Sequence, residues 1–373
     1  MIHYCFLTGL YSRYDVLMFE RQGKSLVEAG FKVTYIVCDN LPDEVCEGIN
    51  IISTHFVPKN RLDRFLHTKK ILLDYALKTD ADVYQISDPE IIDIVSDLKK
   101  HGKKTVFNMR EFYPSMIKRK TYIPAMFRGL VGKWYEGKLK KQLQKYDAVF
   151  TVTDYILKIV RDKYNVRQSY LLANFPRVRK HYSLSYQEYV DRGDVLFYEG
   201  TIYGHSRQEN VLTALESLPT VKYLLAGKME ADVEKIKTYP TWNRVEFIDG
   251  FKLSQLPELF SRATICNVFR DFFGGEGSLG VIKVFESMEA ALPVLFADVP
   301  VYRRINEKYH CGICVDPNDV NSIKNAIEYL VSNKQEAYEM GQRGRQAVIN
   351  EYCWEQQAKK YVEVINSLSY DYR

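Results

Sequence analysis

Short apolar runs alternate with helix-periodic stretches along almost the whole chain, and this alternation most limits what it can fold into. Runs at 2–7, 31–38, 83–86, 105–109, 147–152 and 169–172 read as strands, with helices expected at 14–29, 62–77, 89–101 and 154–164. A second series follows, with strands at 195–198, 221–226, 245–248, 264–268 and 293–297. Its helices are expected at 209–218, 282–291, 319–331 and 336–350, with a final helix from Tyr352. Strands joined through helices pair in parallel, so each series predicts an open α/β sheet whose ligands sit beyond the strand C-termini. The series are separated by Asn174-Phe175-Pro176 and a polar, irregular stretch through Gly193, which marks a domain boundary. At 373 residues the chain can bury two sizeable cores. The expected domains are 1–180 and 181–350, with 351–373 as a terminal helix. A GxGxxG fingerprint is absent, which argues against a dinucleotide site of the Rossmann-enzyme type.

The stretch from Phe272 to Asp298, FFGGEGSLGVIKVFESMEAALPVLFAD, carries the clearest chemistry. Gly274, Gly275, Gly277 and Gly280 precede the 282–291 helix. A glycine loop there exposes backbone N–H groups at the positive end of a helix dipole, which suits a phosphate. On a helical wheel Val284, Met288 and Ala291 form the buried stripe, while Lys283 and Glu286 share another side three residues apart. The plain alternative is a solvated Lys–Glu pair.

KVFESMEAALPVLFADVPVYRRI, followed by CGICVDPNDVNSIKNAIEYL, resembles the donor-binding half of family 4 retaining glycosyltransferases. The resemblance implies the GT-B fold: two Rossmann-like α/β/α domains facing across a cleft that holds the active site, with the C-terminal helix crossing back to the N-terminal domain. It implies a nucleoside diphosphate sugar as donor. Glu286 then holds the ribose, and the loop with Gly275, Gly277, Leu279 and Gly280 faces the diphosphate together with Lys283. Gly200 opens a loop in which Arg207 matches one of two basic positions directed at the diphosphate. Arginine suits that place because its planar fork donates parallel hydrogen bonds. Gly250 and Phe251, in Asp249-Gly250-Phe251-Lys252, fall where the family seats the base. Ser278 stands where the family often has a glutamate near the transferred sugar, with Glu276 close by but out of register.

The N-terminal half carries a related resemblance. DADVYQISDPEIIDIVSDLKKHGKKTVFNMREFYPSMIKRK is similar to a bacterial subgroup that builds surface polysaccharides. That subgroup has His-Glu where this chain has Arg110-Glu111, and a histidine where it has Ser87. Arg110 is a candidate for holding an anionic group of donor or acceptor, and Glu111 is a candidate catalytic or capping residue. Asp88, before Pro89, reads as a helix N-cap. The runner-up function is a catalytically degenerate GT-B subunit that binds a partner or ligand.

Charge and cysteine usage limit the remaining classes. A net charge of +5 does not suggest nucleic acid as partner, and seven scattered cysteines fit reduced thiols in a cytoplasm. Cys311 and Cys314 have redox-motif spacing but precede Val315-Asp316-Pro317 and read as strand residues. Asp80-Ala81-Asp82 has DxD spacing but lies before its strand, at the end away from ligands, and reads as a turn, so neither metal nor cofactor is expected. The N-terminus lacks a leader pattern, and no apolar run approaches membrane-spanning length. Residues 115–145 are basic, with one acid, Glu136, and interleaved aromatic and aliphatic residues. They either lie on an anionic membrane or pack on the sheet with their lysines solvated. The expected setting is cytoplasmic, or peripheral on the inner face of the cell membrane, with a glycan or lipid-linked acceptor.

Overall fold

The structure, a computed structural model, describes residues 1–117, 123–179, 184–269 and 281–370. They form two compact units, Met1–Asn174 with the chain from Trp354 onward, and Phe175–Cys353. The crossings fall near, but not at, the expected 180/181 and 350/351, and aromatic packing accounts for this. The Phe175 ring lies 4.7 Å from Phe285 and 5.5 Å from Tyr352, inside the second unit. Trp354 is fully buried in the first, donating its indole N–H to Ser25 Oγ at 2.9 Å.

In the first unit the strands are β1 (His3–Thr8), β2 (Lys32–Val37), β3 (Glu44–Cys46), β4 (Ile49–Ser53), β5 (Val83–Ile86), β6 (Lys104–Met109), β7 (Ala148–Thr151) and β8 (Ser169–Leu171). They pair in the order β3-β4-β2-β1-β5-β6-β7-β8, all parallel save β3 with β4. The β3–β4 hairpin was not expected from the sequence. Its turn, Glu47-Gly48, has φ of 50° and 77°, the two positive values a twisted hairpin needs, without the usual Asn-Gly signal. Tyr4, Cys5, Phe6 and Leu7 are buried together, as expected of a central strand covered on both faces. The expected 14–29 helix begins at Met18 instead, because Asp15 Oδ1 accepts from the N–H groups of Leu17 (3.0 Å) and Met18 (2.9 Å) and so starts the turn there.

The second unit has β9 (Val195–Glu199), β10 (Lys222–Ala226), β11 (Val245–Ile248), β12 (Ile265–Val268), β13 (Val294–Ala297) and β14 (Gly312–Val315), ordered β11-β10-β9-β12-β13-β14 and parallel throughout. Cys311 is buried just before β14 and Cys314 lies within it, and burial pushes their thiols up to about 12 and about 11. The last helix, Trp354–Tyr370, packs within the first unit. Tyr361 is fully buried there, its hydroxyl within hydrogen-bond distance of Gln85 Oε1 (2.9 Å) and Tyr4 Oη (3.0 Å). Asp80 and Asp82 are used structurally. Asp80 closes the Arg61–Thr79 helix at φ 50° and pairs with Lys103, while Asp82 accepts the His3 backbone N–H at 2.7 Å.

Candidate functional site

Strand order in the second sheet reverses between β9 and β12, and ligands of open α/β sheets bind at such points. β9 ends at Glu199 and runs into Gly200, with φ 111°. A Cβ at Gly200 would fall 1.6 Å from Lys283 Nζ, so the lysine lies directly across the strand end. Its ammonium stands 5.0 Å over the Tyr198 ring. Gly227, with φ 146°, ends β10 beside it, and a Cβ there would come within 1.9 Å of the Gly200 carbonyl oxygen. Positive φ favours glycine at both places, and at Gly227 the backbone contact requires it as well, whereas the flexible Lys283 end beside Gly200 can move aside.

Lys283 belongs to the Ile282–Glu289 helix, shorter than the expected 282–291 because Ala291 turns left-handed at φ 58°. The helix Lys334–Asn350 backs it so closely that a Cβ at Gly341 would sit 2.0 Å from the Ala291 carbonyl oxygen. The expected stripe of Val284, Met288 and Ala291 is buried, and the alternative of a solvated Lys–Glu pair fails at Glu286. Val284 to Glu289 are all buried, with Glu286 only 5% exposed and Glu289 fully covered.

Buried carboxylates need partners. Arg179, outside the range of sequence expectation, supplies them. Its backbone N–H donates to Glu289 Oε1, its Nη1 lies 3.2 Å from Glu289 Oε2, and its Nη2 lies 3.8 Å from Glu286 Oε1. Arg345 fastens the same corner by donating to the carbonyls of Glu289 (2.6 Å) and Arg179 (3.1 Å). Burial pushes the Glu289 carboxyl up to about 7, with the Arg179 guanidinium pulling the other way. Glu199 is also raised, first by burial and then by the neighbouring Glu286 charge, against the pull of Lys283. Its Oε1 is buried without a hydrogen-bond partner among the described residues. Glu199, Glu289, Arg179 and Arg345 were not singled out from the sequence. Their one legible signal was adjacency: Glu199 precedes Gly200, and Glu289 follows Glu286 by one helical turn.

Other expected residues are less gathered. Arg207 is half-buried in a left-handed conformation, φ 52°, between the Gly204–Ser206 turn and the Gln208–Leu215 helix on the loop leaving β9. Gly250, φ 79°, follows β11, and Phe251 is half-buried against the second core. Gly275, Gly277, Ser278, Leu279 and Gly280 lie outside the described residues.

In the first unit, order reverses between β1 and β5. Arg110 follows β6, and its Nη1 donates to both Asp15 oxygens at 3.0 Å while the guanidinium stacks 4.0 Å over Tyr11. Glu111 is exposed, and its carbonyl accepts from Tyr113 N–H in a turn. Asp88 makes no side-chain cap, contrary to expectation. Its buried carboxylate accepts from Thr8 Oγ1 (2.8 Å) and Gly9 N–H (2.6 Å), tying β5 to the loop after β1, and burial pushes it up to about 6.

Comparison with known proteins matches this architecture. The family model described as Glycosyl transferases group 1 matches residues 187–347. A probable sucrose-phosphate synthase 2 of Oryza sativa subsp. japonica is 23% identical over 159 residues, 41% of this chain and 16% of that protein's length. Among solved structures, sucrose-phosphate synthase from Thermosynechococcus elongatus superposes with a TM-score of 0.76 at 16% identity, covering 100% of both chains. Anabaena HepE in complex with UDP-glucose gives 0.69 at 11% identity, over 98% of this chain and 100% of that one. WaaG, a glycosyltransferase involved in lipopolysaccharide biosynthesis, gives 0.70 at 14%, over 97% and 99%. The chain therefore has the GT-B fold, and its residues 187–347 match the model of group 1 glycosyl transferases.

Proposed function

We propose that the protein transfers a sugar, with retention of anomeric configuration, from a nucleoside diphosphate sugar to a glycan or lipid-linked acceptor in surface-polysaccharide synthesis. Uridine diphosphate sugars are the first donors to test, since several structures of the same fold hold UDP or UDP-glucose. The observation that carries the reading is the buried Glu286, presented on the helix whose Lys283 crosses the end of β9. A carboxylate held there accepts from two ribose hydroxyls. The bond from the anomeric carbon to the donor phosphate breaks, a bond to the acceptor hydroxyl oxygen forms, and the hydroxyl proton is released. Negative charge then grows on the departing diphosphate, where Lys283 and Arg207 supply fixed positive charge without a metal. Residues 115–145 would bring the protein to the anionic membrane that carries a lipid-linked acceptor. Arg110, held by Asp15, is assigned to shaping the acceptor-side loop.

One observation favours the degenerate-subunit reading: Arg110, at the position of the subgroup's histidine, is already occupied by Asp15 and Tyr11. Titration calorimetry with a nucleotide-sugar panel, beside a transfer assay read by NMR for product anomer, separates the two. Binding with turnover and a retained anomer supports the enzyme. Binding without turnover across a broad acceptor panel favours the subunit. An inverted product contradicts retention.

A further inference from the structure

Two helices of the first unit leave apolar side chains uncovered at the same end of the sheet. On Arg61–Thr79 these are Leu62, Phe65 and Leu66; on Ala125–Leu143 they are Met126, Phe127, Leu130 and Trp134. Met126 is 80% exposed and Leu130 68%, whereas Tyr135, Leu139 and Leu143 further along the same helix are buried. The two alternatives for 115–145 thus divide along one helix: its second half packs inward and its first half does not.

Both helices lie along the turn Pro89–Ile94. Arg64 grips Glu90 with two bonds of 2.6 Å, and Lys69 reaches Asp93 Oδ2 at 3.0 Å. From the other helix the Tyr135 hydroxyl donates to the Pro89 carbonyl at 3.0 Å, and Lys138 reaches Asp93 Oδ1 at 3.3 Å. The helices therefore meet over one carboxylate and run the same way along the turn. Their first halves project together at the C-terminal end of β5, the edge at which such sheets take ligands. By helical periodicity Leu62 and Leu66 share the side of Lys69, while Phe127, Leu130 and Trp134 share the side of Lys138. The two apolar rows border the same ground.

Exposed lysines border that ground: Lys59 and Lys70 beside the first row, and Lys133, one turn after Leu130, beside the second. Nearby acids are already engaged, Asp63 with His67 and Glu136 with Lys163. An apolar face with a basic rim matches an anionic lipid surface, which takes the side chains below its headgroups and the lysines among them. We infer that the first unit docks on anionic lipid through both helices as one face, with Leu62, Phe65 and Leu66 inserting beside Leu130 and Trp134. This deepens, and rests on, the membrane reading of 115–145. Docked so, the ligand edge of the first sheet faces the bilayer, where a lipid-linked acceptor emerges.

Co-sedimentation with phosphatidylglycerol-containing vesicles, against phosphatidylcholine alone, tests it at about 0.1 M and about 0.5 M salt. The parent protein should pellet with anionic vesicles and partly dissociate at the higher salt. The triple variant Leu62→Ser, Phe65→Ser, Leu66→Ser should lower partitioning about tenfold, as should Leu130→Ser with Trp134→Ser. All five side chains are exposed, so melting temperatures should stay at the parent value, which checks the fold. Vesicles should shift the tryptophan emission to the blue, and Trp134→Phe should abolish the shift. Failure of the parent to bind anionic vesicles overturns the membrane reading itself. Parent binding with the 62/65/66 variant unaffected overturns the two-helix face alone. Vesicle-free self-association of the parent, lost in both variants, overturns it in favour of a second copy as occupant.

Discussion

The two sheets each end in a charged edge where strand order reverses, and the two edges settle their charge differently. In the first unit charge is settled within the edge: Asp15 takes Arg110, and Thr8 with Gly9 takes Asp88. In the second, Glu199, Glu286 and Glu289 crowd around Arg179 and Lys283, Glu199 and Glu289 are both raised, and a Glu199 oxygen has no hydrogen-bond partner among the described residues. Unmet polar demand in a buried corner is costly, and it persists where something else meets it. Neither edge is fully satisfied: both side-chain polar atoms of Asn108, at the end of β6, are buried without partners among the described residues, but in the second edge the unmet group is a carboxylate oxygen. The contrast supports the proposal that donor chemistry belongs to the second edge.

The largest expected effect compares the glycines. Gly227→Ala must push its methyl into the Gly200 backbone at φ 146°, and should cost at least about 3 kcal/mol in urea unfolding. Gly9→Ala in the first unit meets only the Thr68 side chain, its methyl at 2.3 Å, and should cost about 1 to 2 kcal/mol. Equal losses would mean that the second edge is no tighter than the first.

Next come the two arginines. Arg179→Gln strands the buried Glu289 carboxylate, and should cost about 3 to 5 kcal/mol at pH 8. Near pH 5 Glu289 is protonated in the folded protein and the loss should shrink. Arg110→Gln, beside a half-buried Asp15, should cost about 1 to 2 kcal/mol, with little change over the same range. A pH-independent loss at Arg179 would place Glu289 in no need of its guanidinium.

A smaller effect is a slope. Glu199 and Glu289 have folded pKa values raised above the usual glutamate value of about 4.3. The folded state therefore binds more protons, and this contribution is complete below about pH 4.3 and lost as pH rises through the folded values. Glu199→Gln removes one of the two groups. Its melting temperature should fall less than the parent's between about pH 5 and about pH 8, by an amount worth about 1 kcal/mol. A parent whose stability rises across that window would contradict the raised values.

Much of this fold was legible because apolar runs such as Tyr4 to Leu7 and Val294 to Ala297 are buried on both faces of parallel sheets, which leaves no alternation to misread. The β3–β4 hairpin was not legible, because its Glu47-Gly48 turn takes positive φ without asparagine. Lys283, Glu286 and Gly200 were singled out through their motif, and the structure brings Lys283 next to Gly200. Their surroundings were missed for a physical reason. A helical wheel predicts which side of a helix is apolar, not whether a second helix and an arginine from the linker close over the polar side. Arg179 lies in a stretch without periodicity, more than 100 residues from its partners, and nothing local marks it. Asp88 misled because Asp-Pro reads as a cap, while its carboxylate is claimed by the neighbouring strand's loop.

The most direct test of the contrast is donor affinity measured by titration calorimetry with the best uridine diphosphate sugar, in the parent, Glu286→Gln and Arg110→Ala. Hydrogen bonds to a charged acceptor contribute about 1.5 to 3 kcal/mol each, so Glu286→Gln should weaken the donor at least about tenfold. Arg110→Ala should leave it within about twofold. An unchanged affinity in Glu286→Gln, or a tenfold loss in Arg110→Ala alone, would contradict the assignment of the donor to the second edge.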